Sequence, residues 1–109
     1  MQWDATINFI LTKYPEDILT DSQDYGNYLD PDTHEGSRID TGSKSSYALN
    51  NIYDLAGNVS EWTMETLSSS GPVFRGGNCF GALPVSTRRS YYPDSHYDDV
   101  GFRLALYIK

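Results

Sequence analysis

The polar stretch 20–50 constrains the fold of this chain more than any other feature of its sequence. Acidic residues alternate there with glycine, serine and threonine, and neither helical nor strand periodicity appears. A long connection without regular structure is uncommon inside a compact domain unless it is functional or held by ligands. The sequence therefore predicts a loop-rich domain, in which the carboxylates and carbonyls of this stretch are either gathered around a hard cation or solvated.

A helix is predicted at the N-terminus, because Trp3, Ile7 and Ile10 recur at helical spacing and form one apolar stripe. Pro15 ends the helix or follows it, since the residue before a proline is biased away from helical angles. No capping residue precedes this helix. The chain is therefore expected to begin inside a larger unit and to be truncated at its N-terminus; the alternative is a frayed first helix of a small domain.

The second half of the chain predicts short strands separated by loops. Apolar residues are dense over 49–64 and are interrupted by a Gly-Asn turn at 57–58. A short strand is predicted at 73–75 and a final strand at 101–108, while 78–99 has the composition of a loop. The expected fold class is α+β, loop-rich, with few short strands and an N-terminal helix.

Length and composition narrow the possible function. The 109 residues allow a single domain, 1–109, and nine Tyr, four Phe and two Trp argue against a disordered chain. The net charge of −7 excludes the basic surface that a nucleic-acid partner requires. No apolar run reaches the roughly 18–20 residues that span a bilayer, and the first residues lack the pattern of a signal peptide, so membrane insertion is not expected. The cellular compartment stays undetermined.

Three stretches, in order, resemble the formylglycine-generating enzyme, or sulfatase-modifying factor, family: NIYDLAGNVSEWT at 51–63, FRGG at 74–77 and VGFR at 100–103. The opening residues Gln2, Trp3 and Asp4 are similar to the tail of a helix motif of that family. The resemblance implies a C-type-lectin-like α+β fold whose loops are held by polar contacts and calcium. It also implies that the chain corresponds to the C-terminal part of such a domain.

The best candidate metal site lies in the first of these stretches. Asp54 and Glu61 supply hard anionic oxygens on either side of a turn that contains Gly57, and such oxygens are typical calcium ligands. In the family, the positions of Asp54, Gly57, Val59 and Glu61 hold a calcium ion, the middle two through their carbonyls. The resemblance thus implies structural calcium here; the alternative is that the two carboxylates bond backbone amides without metal.

A second and weaker calcium site is implied by a similar stretch around Asn27 and Tyr28, with Asp40 as the acidic partner. The alternative is an ordinary turn in which the Asn27 side chain bonds the backbone.

Catalysis is not expected from this chain. The family's enzymes oxidise a substrate cysteine with two cysteines that bind copper, and a single thiolate cannot replace two. Cys79 is the only cysteine and lies closer to Gly76 and Gly77 than the family pattern requires, so no copper site and no formylglycine generation are predicted. The only histidines, His34 and His96, are far apart in sequence and are expected to be solvated rather than to bind iron.

The segment after the glycine pair is rich in tyrosine, which gives large contact area at low entropic cost in recognition surfaces. The same frame, RGG followed by GFR, occurs in the variable proteins of diversity-generating retroelements, whose ligand-binding positions lie between these anchors. The alternative is that the tyrosines pack on their own domain. The candidate ligand-binding residues are Asn78, Phe80, Tyr91, Tyr92, Ser95, His96 and Tyr97.

Two functional hypotheses follow. The first is a non-catalytic domain, stabilised by calcium, that binds a protein or a small ligand through the tyrosine-rich loop. The second is a fragment or divergent member of a formylglycine-generating-type oxidase that has lost its cysteine pair. Either hypothesis is compatible with an oligomer or with a missing N-terminal part.

Overall fold

The computed structural model describes residues 2–15, 22–28, 36–67, 71–81, 83–92, 94 and 96–104. Within these residues, two α-helices, α1 and α2, precede six strands, β1 to β6. In chain order the elements are α1 Gln2–Leu11, α2 Ser22–Tyr25, a 3-10 turn Ser45–Tyr47, β1 Ala48–Leu49, β2 Ile52–Tyr53, β3 Ser60–Leu67, β4 Gly71–Arg75, β5 Arg88–Ser90 and β6 Val100–Gly101.

The predicted N-terminal helix is confirmed as α1, and its apolar stripe forms the centre of the core. Trp3, Ile7 and Ile10 are buried, as their spacing requires. The Trp3 indole N–H donates a hydrogen bond of 3.0 Å to the carbonyl of Val85. The remaining buried members of this cluster come from later in the chain: Leu49, Leu55, Ala56 and Val85.

The principal sheet has the order β5-β4-β3-β6. Strands β3 and β4 are antiparallel, with an irregularity between Trp62 and Thr66, and β6 pairs with β3 in parallel. The strand expected at 73–75 is confirmed as part of β4. The prediction of a loop over 78–99 was wrong at Arg88–Ser90, which form β5. The strand predicted at 101–108 is much shorter in the structure: β6 is Val100–Gly101, residues 102–104 are not in a strand, and 105–108 lie outside the described residues.

A buried charge cluster joins α1 to this sheet. The Arg75 guanidinium lies 2.5 Å from an Asp4 oxygen and 3.9 Å from Glu65, whose other oxygen lies 2.7 Å from Arg88. The Arg75 and Glu65 side chains are almost completely buried. Removing one partner of the buried pair of Arg75 and Glu65 would leave an uncompensated charge in the sheet, and the contact of Arg75 with the partly exposed Asp4 links α1 to this pair.

The polar stretch is held against the 57–58 turn by a close approach of two backbones. A Cβ at Gly26 would lie 2.5 Å from the amide nitrogen of Gly57, and a Cβ at Gly57 would overlap the backbone of Asn27. No side chain fits between these segments, so glycine is required at both positions. Part of the long polar connection is thus packed directly on the candidate metal site.

Within the described part of the chain, no helix has the length and apolarity needed to cross a membrane.

Candidate functional site

The four predicted ligands of the first calcium site line one cavity of about 280 Å³. The turn that follows β2 supplies most of its wall, and the residues after β6, together with Thr41, supply the rest. Asp54, Gly57, Asn58, Val59 and Glu61 come from the turn and the start of β3; Thr41, Phe102, Arg103 and Leu104 complete the lining.

Asp54 occupies a constrained position in the wall of the cavity. It is buried and has a φ of 53°, a left-handed conformation that is uncommon for a residue other than glycine. One carboxylate oxygen, Oδ2, accepts a 3.1 Å hydrogen bond from the Gly42 amide. The other, Oδ1, is buried and has no hydrogen-bond partner among the described residues. A buried carboxylate oxygen without a donor is costly, and a bound cation would remove that cost.

Glu61 is also buried, but its carboxylate already has a cationic partner. Arg103 Nε lies 2.9 Å from Oε1 and 3.0 Å from Oε2, and Arg103 Nη2 lies 2.6 Å from Oε1. The same Nη2 donates a 2.8 Å hydrogen bond to the carbonyl of Tyr53. The wall of the cavity therefore contains two carboxylates and one guanidinium.

Asn58 organises the turn and is the residue that the sequence reasoning missed. Its side-chain Nδ2 donates a hydrogen bond to the Ile39 carbonyl at 2.9 Å. Its Oδ1 accepts one from the Ile39 N–H at 3.0 Å and one from the Asn27 side chain at 3.3 Å. Its backbone N–H donates to the Asn27 carbonyl at 2.6 Å, and its carbonyl accepts from Cys79 at 2.8 Å. Asn58 also begins an Asn-Val-Ser glycosylation sequon, but its side chain is buried. The pairing of a turn residue with a distant segment leaves no periodic signal in a sequence.

The donor set of the cavity fits a hard cation. The buried Asp54 oxygen, a second carboxylate and the backbone of Gly57 and Val59 are the kinds of oxygen that calcium takes. No group of three or more His, Cys, Asp and Glu side chains suited to a metal occurs within the residues that the structure describes. The candidate ligand atoms in this lining are oxygens, whereas transition metals such as copper prefer nitrogen and sulfur ligands.

The residues of the second predicted calcium site lie next to the same turn. The Asn27 side chain donates to the Ser37 carbonyl at 2.7 Å and contacts Asn58. Tyr28 is half-buried, and Asp40 is exposed, with its carbonyl accepting the Ser43 N–H at 3.0 Å. These contacts of Asn27 reach segments 10 and 31 residues away, so they are not the local turn of the alternative interpretation, and the second site stays a prediction.

Cys79 is completely buried beneath this turn. Burial raises the pKa of its thiol above the ordinary value of 9.0, with a smaller contribution from the nearby negative charge of Asp99. A buried thiol of this kind is a poor nucleophile at neutral pH. His96 is exposed, and His34 lies outside the described residues.

The tyrosine-rich segment forms an aromatic stack on one face of the sheet. Trp62 contacts the buried Phe74 edge to face, with ring centres 5.7 Å apart. Tyr91 stacks on Phe74 at 4.7 Å, and Tyr97 stacks on Tyr91 at 3.9 Å. Tyr91 and Tyr97 are half-buried and thus pack on their own domain through at least one ring face.

The other candidate ligand-binding residues divide by exposure. Asn78 is buried, and its side chain bonds Asp99 at 2.6 Å and the Phe80 N–H at 3.1 Å, so it shapes the loop from within. Phe80 is 51% exposed and Tyr92 71% exposed. His96 is exposed, and Ser95 lies outside the described residues. The exposed set that remains available to a ligand is Phe80, Tyr92 and His96.

Comparisons with known proteins agree with this architecture. Residues 10–108 match the family described as sulfatase-modifying factor enzyme 1-like domain. A protein of Mus musculus named inactive C-alpha-formylglycine-generating enzyme 2 is 40% identical over an alignment of 65 residues, and the match covers 50% of this chain. The crystal structure of CarF superposes on 73% of this chain with a TM-score of 0.64 and 26% identity.

Both relatives are longer than this chain. The match covers 21% of the mouse protein and 32% of CarF. The resemblance seen in three short motifs and the expected α+β fold are confirmed, because the family match extends over nearly the whole sequence. The chain belongs to the sulfatase-modifying factor enzyme 1-like domain family.

Proposed function

We propose that this chain is a non-catalytic binding domain of its family and that calcium stabilises it. The observation that carries the first part is the state of its only cysteine. Cys79 is buried and its thiol pKa is raised, so the chain offers no pair of thiolates for copper. The name of the mouse relative, an inactive enzyme, supports the same interpretation.

The calcium part rests on the unpartnered Oδ1 of Asp54 in a cavity that it shares with Glu61. A bound dication would offset the negative charge of these carboxylates and join the turn to the start of β3. Asp54 and Glu61 would bind it through carboxylate oxygens, with Gly57 and Val59 as backbone ligands.

The proposed binding residues are the exposed Phe80, Tyr92 and His96, and the neighbouring Tyr91 and Tyr97 are anchored by stacking on Phe74. Exposed aromatic side chains on a rigid base are suited to contact a protein or a small ligand at low entropic cost. The surface lies in the interval that is diversified in retroelement variable proteins. If this chain is one of them, sequences of the same locus will differ mainly at these three exposed positions.

Mass spectrometry tests the absence of catalysis. The purified chain is incubated with copper, oxygen and a cysteine-containing sulfatase peptide, and conversion of the cysteine to an aldehyde is measured. No conversion is expected. An aldehyde that forms with the wild type and not with Cys79→Ala would overturn the non-catalytic assignment.

Thermal unfolding tests the calcium site. Calcium at about 100 times its Kd is expected to stabilise the native state by about 2.7 kcal/mol relative to chelator, and so to raise the melting temperature. Asp54→Asn should abolish this shift. Asp24→Asn, which changes an exposed carboxylate on α2, should retain it. An equal response of wild type and Asp54→Asn would place the cation elsewhere.

Peptide display tests the surface. Binders are selected from a random peptide library against the wild-type chain and measured by calorimetry. Tyr92→Ser and Phe80→Ser are expected to weaken them, whereas Met64→Ser, at a fully exposed apolar residue on β3, should not. Binders affected only by Met64→Ser would assign the surface to another face.

A further inference from the structure

We propose that Arg103 is a positioning residue for cation binding in the cavity of Asp54 and Glu61. This inference rests on the calcium site proposed above and assigns a role to a residue that is not itself a ligand. The observation behind it is that one guanidinium contacts both ends of the ligand-bearing segment.

The two ends are joined as follows. Arg103 Nη2 donates to the Tyr53 carbonyl at 2.8 Å, immediately before Asp54 in the chain. Nε and Nη2 of the same side chain bind the Glu61 carboxylate at 2.6–3.0 Å. Parallel pairing of Glu61 with Gly101 places Arg103 two residues beyond the pair, at the mouth of the cavity. Arg103 therefore sets the separation of Asp54 from Glu61 and the orientation of the Glu61 carboxylate.

The acceptor positions of Glu61 leave room for a cation beside the arginine. An ionised carboxylate has about four lone-pair positions, two on each oxygen. Arg103 makes two contacts with Oε1 and one with Oε2, so one position on Oε2 stays free. Asp54 Oδ1 is free of hydrogen bonds as well. A cation can thus take both carboxylates while the guanidinium stays in place.

The charge of Arg103 makes the proposal testable by the sign of an effect. By electrostatics alone, a guanidinium in the cavity wall repels a dication, so its removal should raise calcium affinity. If Arg103 orients the ligands, its removal should lower the affinity, because residues that orient metal ligands typically contribute roughly 10- to 100-fold. The two roles predict opposite changes.

The experiment measures calcium affinity by calorimetry for wild type, Arg103→Gln and the control Arg89→Gln, an exposed arginine on β5. We expect roughly a 10- to 100-fold loss for Arg103→Gln and no change for the control. Equal or tighter binding by Arg103→Gln would overturn the positioning role and leave the calcium site intact. Absence of calcium binding by the wild type would instead overturn the proposed site itself.

A terbium measurement reports the ligands directly. Terbium replaces calcium, is sensitised by nearby tyrosine and tryptophan, and its luminescence lifetimes in light and heavy water count the coordinated water molecules. Arg103→Gln should gain about one water as Glu61 leaves the ion; an unchanged or lower count would contradict the proposal.

If Arg103→Gln does not fold in chelator, Arg103→Lys decides the question. Lysine keeps the positive charge but lacks the planar fork that contacts Tyr53 and Glu61 together. Reduced affinity in this variant supports the positioning role, and wild-type affinity overturns it.

Discussion

The turn 54–61 and the aromatic segment 90–97 are both irregular in backbone structure, yet they are held by different forces. The turn is fixed by directed hydrogen bonds that converge on Asn58 from three other segments of the chain, at Asn27, Ile39 and Cys79. The aromatic segment is fixed by ring stacking on Phe74. Hydrogen bonds of buried groups tolerate little displacement, whereas stacked rings tolerate substitution and sliding.

This difference suits the turn to cation binding and the aromatic segment to recognition of a ligand. A cation site needs ligand positions that are defined to within a fraction of an ångström, and the turn supplies them. A recognition surface benefits from side chains that can change without loss of the fold, and Tyr92 stands outside the stack with most of its surface exposed. Mutations should therefore affect the stability of the two regions very unequally.

The largest effect is expected for Gly57→Ala. A Cβ there overlaps the Asn27 backbone, which cannot move without breaking the bonds to Asn58. We expect a loss of about 3 kcal/mol or more in the free energy of unfolding, measured by urea denaturation. Gly81→Ala is the control, because a Cβ there meets no atom within 4 Å. Similar losses for both variants would show that the close approach is not what fixes the turn.

Asn58→Gly should have the next largest effect. Glycine accepts the φ of 67° that Asn58 adopts, so the variant removes the side-chain hydrogen bonds without backbone strain. We expect a loss of about 2 kcal/mol, because the partly buried N–H and C=O of Ile39 lose their partners. Asn51→Gly, at an exposed residue with a φ of 66°, should change little. Equal losses in the free energy of unfolding for Asn58→Gly and Asn51→Gly would show that the Asn58 side chain does not hold the turn.

Tyr91→Ala should cost about 1.5 kcal/mol, because it removes the ring between Phe74 and Tyr97. Tyr92→Ala, in the adjacent and exposed position, should change the free energy of unfolding by less than about 0.5 kcal/mol. A large effect of Tyr92→Ala would mean that the proposed recognition residue is part of the core. The comparison uses chemical denaturation of both variants at the same pH.

The smallest effect concerns pH and Cys79. Because the pKa of the folded thiol is raised, the unfolded chain loses its proton first as the pH increases. The resulting stabilisation is complete below the pKa of the unfolded thiol, near 9.0, and is lost as the pH rises toward the folded pKa. Cys79→Ala should therefore show a weaker decline in urea midpoint between neutral and alkaline pH than the wild type. Parallel curves would exclude this contribution.

The parts of the fold that the sequence predicted are those with local signals. The stripe of Trp3, Ile7 and Ile10 identified α1, and the glycine pair after Arg75 marked the end of β4. Strand β5 was missed because Arg88–Ser90 is polar and too short for alternation to show, and it forms only through pairing with β4. Strand β3 was not predicted either, since an irregularity in its register interrupts the alternation that a strand normally shows.

The ligand positions of the candidate site were predicted from a motif, but the distant contacts that hold these positions were not. Asp54 and Glu61 stand in one recognisable stretch, and both line the cavity. Arg103 and Ile39 reach the same site from 42 and 19 residues away from the residues that they contact. Such contacts depend on parallel pairing and loop packing, for which a single sequence contains no periodic signal.

The hydrogen bond between Trp3 and Val85 connects positions 82 residues apart, and the ion pair of Asp4 with Arg75 spans 71. During synthesis from the N-terminus, α1 is complete long before either partner leaves the ribosome. At roughly 5–20 residues per second, the Trp3 indole N–H and the Asp4 carboxylate stay without these two partners for several seconds. Contacts of such long sequence separation also slow folding, because the entropy of closing the loop is lost before the contact stabilises the chain. The two polar contacts that fix α1 to the C-terminal half therefore form late, after the apolar contacts of α1 with Leu49, Leu55 and Ala56 have become available.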